Sequence, residues 1–163
     1  MNYSRIKKTD IANGTGVRVS LFVSGCHNRC KGCFQPETWD FDYGHKFTSD
    51  TMYKILRAVS PDYIEGLTVL GGDPLAPENV PDVTKLCRLV KDVYPDKTIW
   101  VYTGYYWEDV KYLEMMDYID VLVDSPFEED FKDISLNFRG SSNQRIIDVP
   151  ISLERGEIME VKV

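Results

Sequence analysis

In the stretch VRVSLFV, Val17, Val19, Leu21 and Val23 alternate with Arg18, Ser20 and Phe22. That period of two predicts a strand with one face turned to a core. Arg18 falls on the other face and is expected to be solvated or ion-paired. The period then changes. TSDTMYKILRAV offers Thr48 or Ser49 as an N-cap, followed by Met52, Ile55, Leu56 and Val59 at helical spacing. GLTVL (66–70) is a short apolar run of the kind found in buried strands. NVPDVTKLCRLVKDVYP opens on an Asn79 cap and sets Val83, Leu86, Cys87, Val90 and Val93 along one stripe. KTIWVYT (97–103) predicts a third strand, YWEDVKYLEMM a third helix and IDVLV (119–123) a fourth strand. Strands alternating with helices imply βαβ units, hence an α/β fold with a mostly parallel sheet and right-handed crossovers.

Composition narrows the class. The sequence has 163 residues, with no internal repeat, low-complexity tract or Gly/Ser-rich linker, which predicts a single domain over 1–163. With 43% hydrophobic and 28% charged residues it reads as a soluble globular protein, and no apolar run is long enough to span a bilayer. A net charge of −7 argues against broad binding to phosphate backbones, so neither nucleic acid nor membrane is an expected partner. The opening MNYSRIKKTD carries cations but no apolar region follows, so no secretory signal is read. Clustered cysteines without such a signal do not suggest a disulfide framework, and a cytoplasmic location is expected.

The unusual residues gather at the strand ends. SGCHNRCKGCFQPETW follows the first strand, GGDP (71–74) the second, TGY (103–105) the third and DSPF (124–127) the fourth. Open α/β sheets and barrels bind ligands at that rim. Cys26, Cys30 and Cys33 form a C-x3-C-x2-C pattern. Thiolates are soft ligands that select iron–sulfur clusters, zinc or copper(I), and structural zinc wants four protein ligands. The fourth cysteine, Cys87, lies on an apolar helical stripe and reads as core. His27 adjoins Cys26, which makes shared coordination of one tetrahedral ion awkward, and His45 reads as solvated surface. Three thiolates therefore suit a cubane cluster with one iron open to an exogenous ligand. Asn13 and Gly14 suit an ordinary turn, and Tyr102, Tyr105, Tyr106 and Trp107 read as packing and rim. Arg139, Asn143, Gln144 and Arg145 in FRGSSNQR are open to two readings, a grip on a partner or ligand carboxylate and a plain surface loop.

CHNRCKGCF resembles the C-x3-C-x2-C-aromatic signature of radical S-adenosylmethionine (SAM) enzymes, and GGDP resembles the GGEP-like turn of that family. NGTGVRVSLFVSGC, CFQPETW, GGDPLAPENV, VYTGY, VLVDSPF and FRGSSNQRIID together are similar to the activating proteins of anaerobic ribonucleoside-triphosphate reductases. The resemblance runs from about Tyr3 to Asp148. It departs at Ser125, where glycine is expected, and ends before VPISLERGEIMEVKV, about 149–163, an extension read as a strand pair or flexible end. The resemblance implies a radical SAM oxidoreductase with one [4Fe–4S] cluster on Cys26, Cys30 and Cys33, which are also its catalytic residues. It implies SAM contacts from Gly32, Cys33, Phe34, Gly71, Gly72 and Asp73, with Thr103 and Asp124 near the ribose or the transferred hydrogen. The implied reaction is reductive cleavage of SAM and abstraction of a hydrogen from a glycine of the reductase, giving a glycyl radical. An external one-electron donor such as a flavodoxin is implied with it. The implied fold is a partial, open (β/α) barrel, because a complete eight-stranded barrel takes about 250 residues. A small radical SAM enzyme acting on a metabolite such as a nucleobase precursor is the alternative, and a non-enzymatic metal or electron-transfer module is a third reading.

Overall fold

The computed structural model describes residues 1–163, and the strand–helix alternation resolves into one sheet with helices. The strands are β1 (Asn2–Asp10), β2 (Val17–Val23), β3 (His45–Lys46), β4 (Ile64–Gly71), β5 (Thr98–Tyr102), β6 (Val121–Asp124) and β7 (Arg145–Asp148). The α-helices are α1 (Ser49–Val59), α2 (Val80–Val93), α3 (Trp107–Val110) and α4 (Val149–Arg155). The sheet order is β3-β1-β2-β4-β5-β6-β7. β2, β4, β5 and β6 pair in parallel, while β1 joins β2 and β3, and β7 joins β6, antiparallel. The α/β class and the parallel centre match the sequence reading. The sheet itself is mixed, and it is open: β3 and β7 are its two edges, and the seven strands do not close on one another.

Each parallel strand sends alternate side chains to the helices. Val19, Leu21, Leu67, Val69, Ile99, Val101 and Leu122 form one core with Ile55, Leu56, Leu86 and Val90 of α1 and α2. Thr48 caps α1 in a reciprocal pair with Thr51, satisfying backbone groups the first turn would leave open. In α2 the stripe is Val83, Leu86, Cys87 and Val90, whereas Val93, expected with them, is exposed at the helix end.

Arg18 corrects the expectation of a solvated face. It is fully buried, because the second face of the sheet is covered too. Its Nε donates to Thr68 Oγ1 at 2.8 Å, Nη1 to Thr98 Oγ1 at 2.9 Å, and Nη2 to the carbonyls of Leu67 and Thr98. The Trp100 ring lies 5.7 Å from the guanidinium. Burial pulls the Arg18 pKa down to about 10, which leaves the group charged at neutral pH. Around it Trp100, Val121, Val123 and Ile146 form a smaller core.

Four segments differ from their expected form. The third helix is only α3, followed by a 3-10 turn at Glu114–Asp117. Trp107 and Val110 are buried on α3, and a continued helix would bring Glu114 onto the same face. The break at Leu113 turns Glu114 outward and buries Met115 and Met116 instead. The FRGSSNQRIID segment ends in strand β7, and β1 was not read as a strand at all. The terminal extension is helix α4, capped by Asp148 on the Ile151 N–H and closed by left-handed Gly156. The chain then returns along β7, where Val161 N–H donates to the Ile146 carbonyl at 2.8 Å. No helix is long and apolar enough to cross a membrane.

Candidate functional site

The ends of β2, β4, β5 and β6 open onto a cavity of about 230 Å³. Cys26, Cys30, Cys33 and Phe34 line it from the loop after β2, Gly71, Gly72 and Asp73 from the end of β4, and Thr103 from the end of β5. Asn28, Tyr102, Gly104 and Gln144 line it as well. Two residues implied as SAM contacts lie outside this lining. Gly32 adopts a left-handed φ of 77° beneath the Glu129 side chain. Asp124 is fully buried, where its carboxylate accepts from the Trp107 N–H, the Ser125 hydroxyl and the Arg145 guanidinium.

The cysteine loop is clamped by backbone bonds. Gly25 N–H donates to the Thr38 carbonyl at 2.7 Å, and Asp73 N–H donates to the Gly25 carbonyl at 2.7 Å. Gly72 sits against this junction: a Cβ there would lie 2.6 Å from the Gly25 carbonyl oxygen and 2.8 Å from that of Thr38. A glycine is required because backbone, not side chain, fills the space.

Asp73 ties the rim together. Its Oδ1 accepts from Thr103 Oγ1 at 2.8 Å and from Leu75 N–H at 2.9 Å. Its Oδ2 accepts from Asn28 Nδ2 at 2.8 Å and from Gly104 N–H at 3.0 Å. Burial pushes this carboxyl above its ordinary range, and the four donors pull against that push. Burial likewise raises the Cys26 and Cys30 thiols, so metal binding there must release protons.

The remaining candidates sort by geometry. His27 turns to Glu78, 2.9 Å from its Oε1, and packs at a tilt against Phe41, with ring centroids 4.8 Å apart. Cys87 is fully buried in α2, and burial pushes its thiol up to about 12. No three His, Cys, Asp or Glu side chains converge on one ion position. Three thiols lining one cavity are soft donors of the kind that hold an iron–sulfur cluster, one thiolate to each of three irons.

The FRGSSNQR side chains brace their own loop. Gln144 Oε1 accepts from the Gly140 and Ser141 N–H groups, and Asn143 Nδ2 donates to the Pro126 carbonyl at 2.8 Å. Arg139 binds the Gln144 carbonyl, and Arg145 binds Asp124 and Glu108. Phe127 of that loop packs on Phe34, with ring centroids 5.6 Å apart, so it closes over the cysteine loop. Asn28 was missed by sequence reasoning, since asparagine is a common loop residue, and only its position between two cysteines marked it.

Residues 12–147 match the family model described as a 4Fe-4S single cluster domain, a span that includes all three loop cysteines. Curated relatives carry the name anaerobic ribonucleoside-triphosphate reductase-activating protein. The chain is 45% identical to that of Enterobacteria phage T4 over 146 residues, 90% of this chain and 93% of the relative. It is 44% identical to that of Escherichia coli strain K12, over 88% of this chain and 96% of the relative. The protein of Vibrio cholerae is 41% identical, over 90% and 97%. The chain belongs to this family. Family membership and the match to a single-cluster domain agree with the one cavity that collects the three thiols.

Proposed function

We propose that this chain is the radical SAM activating enzyme of an anaerobic ribonucleoside-triphosphate reductase and works in the cytoplasm. The observation that carries the reading is the shared cavity of Cys26, Cys30 and Cys33 with the Gly71–Gly72–Asp73 turn. Cys26, Cys30 and Cys33 would hold a [4Fe–4S] cluster, and the turn would hold the amino-acid end of SAM. When bound, these groups supply one-electron cleavage of a C–S bond and a carbon radical able to take a hydrogen from a glycine Cα. The chain's own residues bind and orient. The carbonyls near Gly72 can accept from an ammonium, and Thr103 is fixed by Asp73 at the same wall. Phe34, 70% exposed at the loop, offers an aromatic face for an adenine. Asp124, bound within the fold by the Trp107 N–H, the Ser125 hydroxyl and Arg145, would brace the end of β6 rather than touch a ligand. As an open sheet, a partial barrel of this kind leaves room for a polypeptide loop of the reductase, and an external one-electron donor such as a flavodoxin supplies the reducing equivalent.

The test is anaerobic reconstitution with iron and sulfide, then addition of reductant, SAM and the reductase. Electron paramagnetic resonance should show a glycine-centred doublet on the reductase, absent when the glycine of its C-terminal loop is alanine. Persistence of the signal in that variant excludes the glycine as target. Consumption of a small metabolite with no radical on the reductase would replace this reading with a metabolite enzyme.

A further inference from the structure

Asn28 stands between Cys26 and Cys30 and makes two contacts through one nitrogen. Its Nδ2 donates to Asp73 Oδ2 at 2.8 Å and to Cys26 Sγ at 3.7 Å. A primary amide carries two N–H donors, one for each of these acceptors. The sulfur contact is longer because sulfur is larger than oxygen. Flipping the amide would turn its oxygen toward a carboxylate and a sulfur, both rich in lone pairs, so the two acceptors fix its orientation. Asp73 is held in turn by Thr103, Gly104 and Leu75. The amide is therefore anchored at one N–H and aims the other at the cysteine. Gly104 provides the space: a Cβ there would lie 2.2 Å from Asn28 Nδ2.

We propose that Asn28 is a positioning residue that sets the reduction potential of the cluster through its N–H···S bond to Cys26. The inference rests on the reading of Cys26 as a cluster ligand. Reduction adds negative charge that is shared with the ligand sulfurs, so a donor on sulfur stabilises the reduced state and raises the potential. A residue that only shaped the loop would change iron retention or stability and leave the potential where it was.

The test is the midpoint potential of the reconstituted full-length protein, measured by anaerobic spectroelectrochemistry alongside iron content. Asn28→Leu keeps similar bulk without the donor, and its potential should shift negative of the parent with iron retained. Gly104→Ala leaves the amide intact but displaces it, and should shift the potential in the same direction. The double variant should move no further than Asn28→Leu, because both changes break one bond. Asn28→Gln, which keeps an amide, should fall between parent and Asn28→Leu. An unchanged or more positive potential in iron-replete Asn28→Leu overturns the proposal. If Asn28→Leu loses its iron, Gly104→Ala decides, and an unchanged potential there overturns it equally. A parent chain that takes up no cluster refutes the functional reading instead.

Discussion

The Thr103 hydroxyl donates to Asp73 Oδ1 at 2.8 Å and so joins the ends of two adjacent parallel strands, β4 and β5. Both residues stand one or two positions beyond their strands, which fixes where the rim of the sheet meets the cavity. The same carboxylate reaches Asn28 in the loop from β2. Three strand ends are thus held by one buried acid, and the cysteine loop inherits the rigidity of the sheet. A site built on rigid elements keeps its geometry better than one built on free loops.

Gly72→Ala should damage the cysteine loop as well as any ligand contact. The added Cβ would press on the Gly25 and Thr38 carbonyls, both backbone atoms that cannot rotate away. Iron retained per chain after anaerobic reconstitution should fall, with a lower thermal midpoint. Full iron content with a parent-like midpoint would show that the turn moves freely from the loop.

Ala in place of Cys26, Cys30 or Cys33 should in each case abolish the cluster's visible absorbance and its iron. Cys87→Ala should keep both. Cys87 is fully buried in α2 with its thiol pushed up to about 12, so it is not a thiolate at neutral pH. Its loss should cost roughly 1 kcal/mol of stability, read by urea denaturation. Iron lost from Cys87→Ala would contradict the three-thiolate assignment.

The central strands were legible because burial imposes a pattern: apolar alternation in β2 and compact apolar runs in β4 and β6. The rim motifs were legible because they follow those runs directly. β1 was not, since NYSRIKKTD carries little apolar signal and is stabilised by pairing with β2 through backbone bonds. Arg18 was misread because alternation reports one buried face and is silent on whether the other is covered. Apart from the nearby Thr15 carbonyl, its acceptors, on Thr68, Leu67 and Thr98, lie at least 49 positions away in the chain. The resemblance implies Asp124 near the ribose or the transferred hydrogen, and its bond to Arg145, 21 positions on, is a contact that no local pattern shows. Asn28 illustrates the same limit: its meaning comes from Asp73, 45 positions on.

Arg145→Met should strand a buried charge. Asp124 is fully enclosed, and Arg145 is its cationic partner, with Glu108 on the outer side. Removing one member of a fully buried pair costs about 3–5 kcal/mol, and because Arg145 is 28% exposed the loss should lie at or below the lower end of that range. Adding Asp124→Asn to Arg145→Met should recover part of that loss. Urea denaturation of the parent, the single variant and the pair would decide, and a loss below about 1 kcal/mol in Arg145→Met would mean that this ion pair does not stabilise the fold.

Asp10 predicts a pH dependence of known sign. Burial works to raise its carboxyl, but donors from Asn13, Ser20 and the Ala12 N–H, with Lys7 nearby, hold it below the ordinary 3.8. The folded protein therefore binds this proton less readily than the unfolded chain, so stability rises with pH through that window. The contribution is present above pH 3.8 and is lost as pH falls through the lower folded value. Asp10 also shapes the turn whose Asn13 carbonyl accepts from Thr68, beside the buried Arg18. Asp10→Asn should be less stable than the parent at neutral pH. The difference should narrow as the medium is acidified below 3.8, where the parent carboxyl becomes protonated too. Urea unfolding of both proteins across that range measures it. A stability gap that stayed constant with pH would mean that the ionised carboxylate is not what the Asn13 and Ser20 donors stabilise.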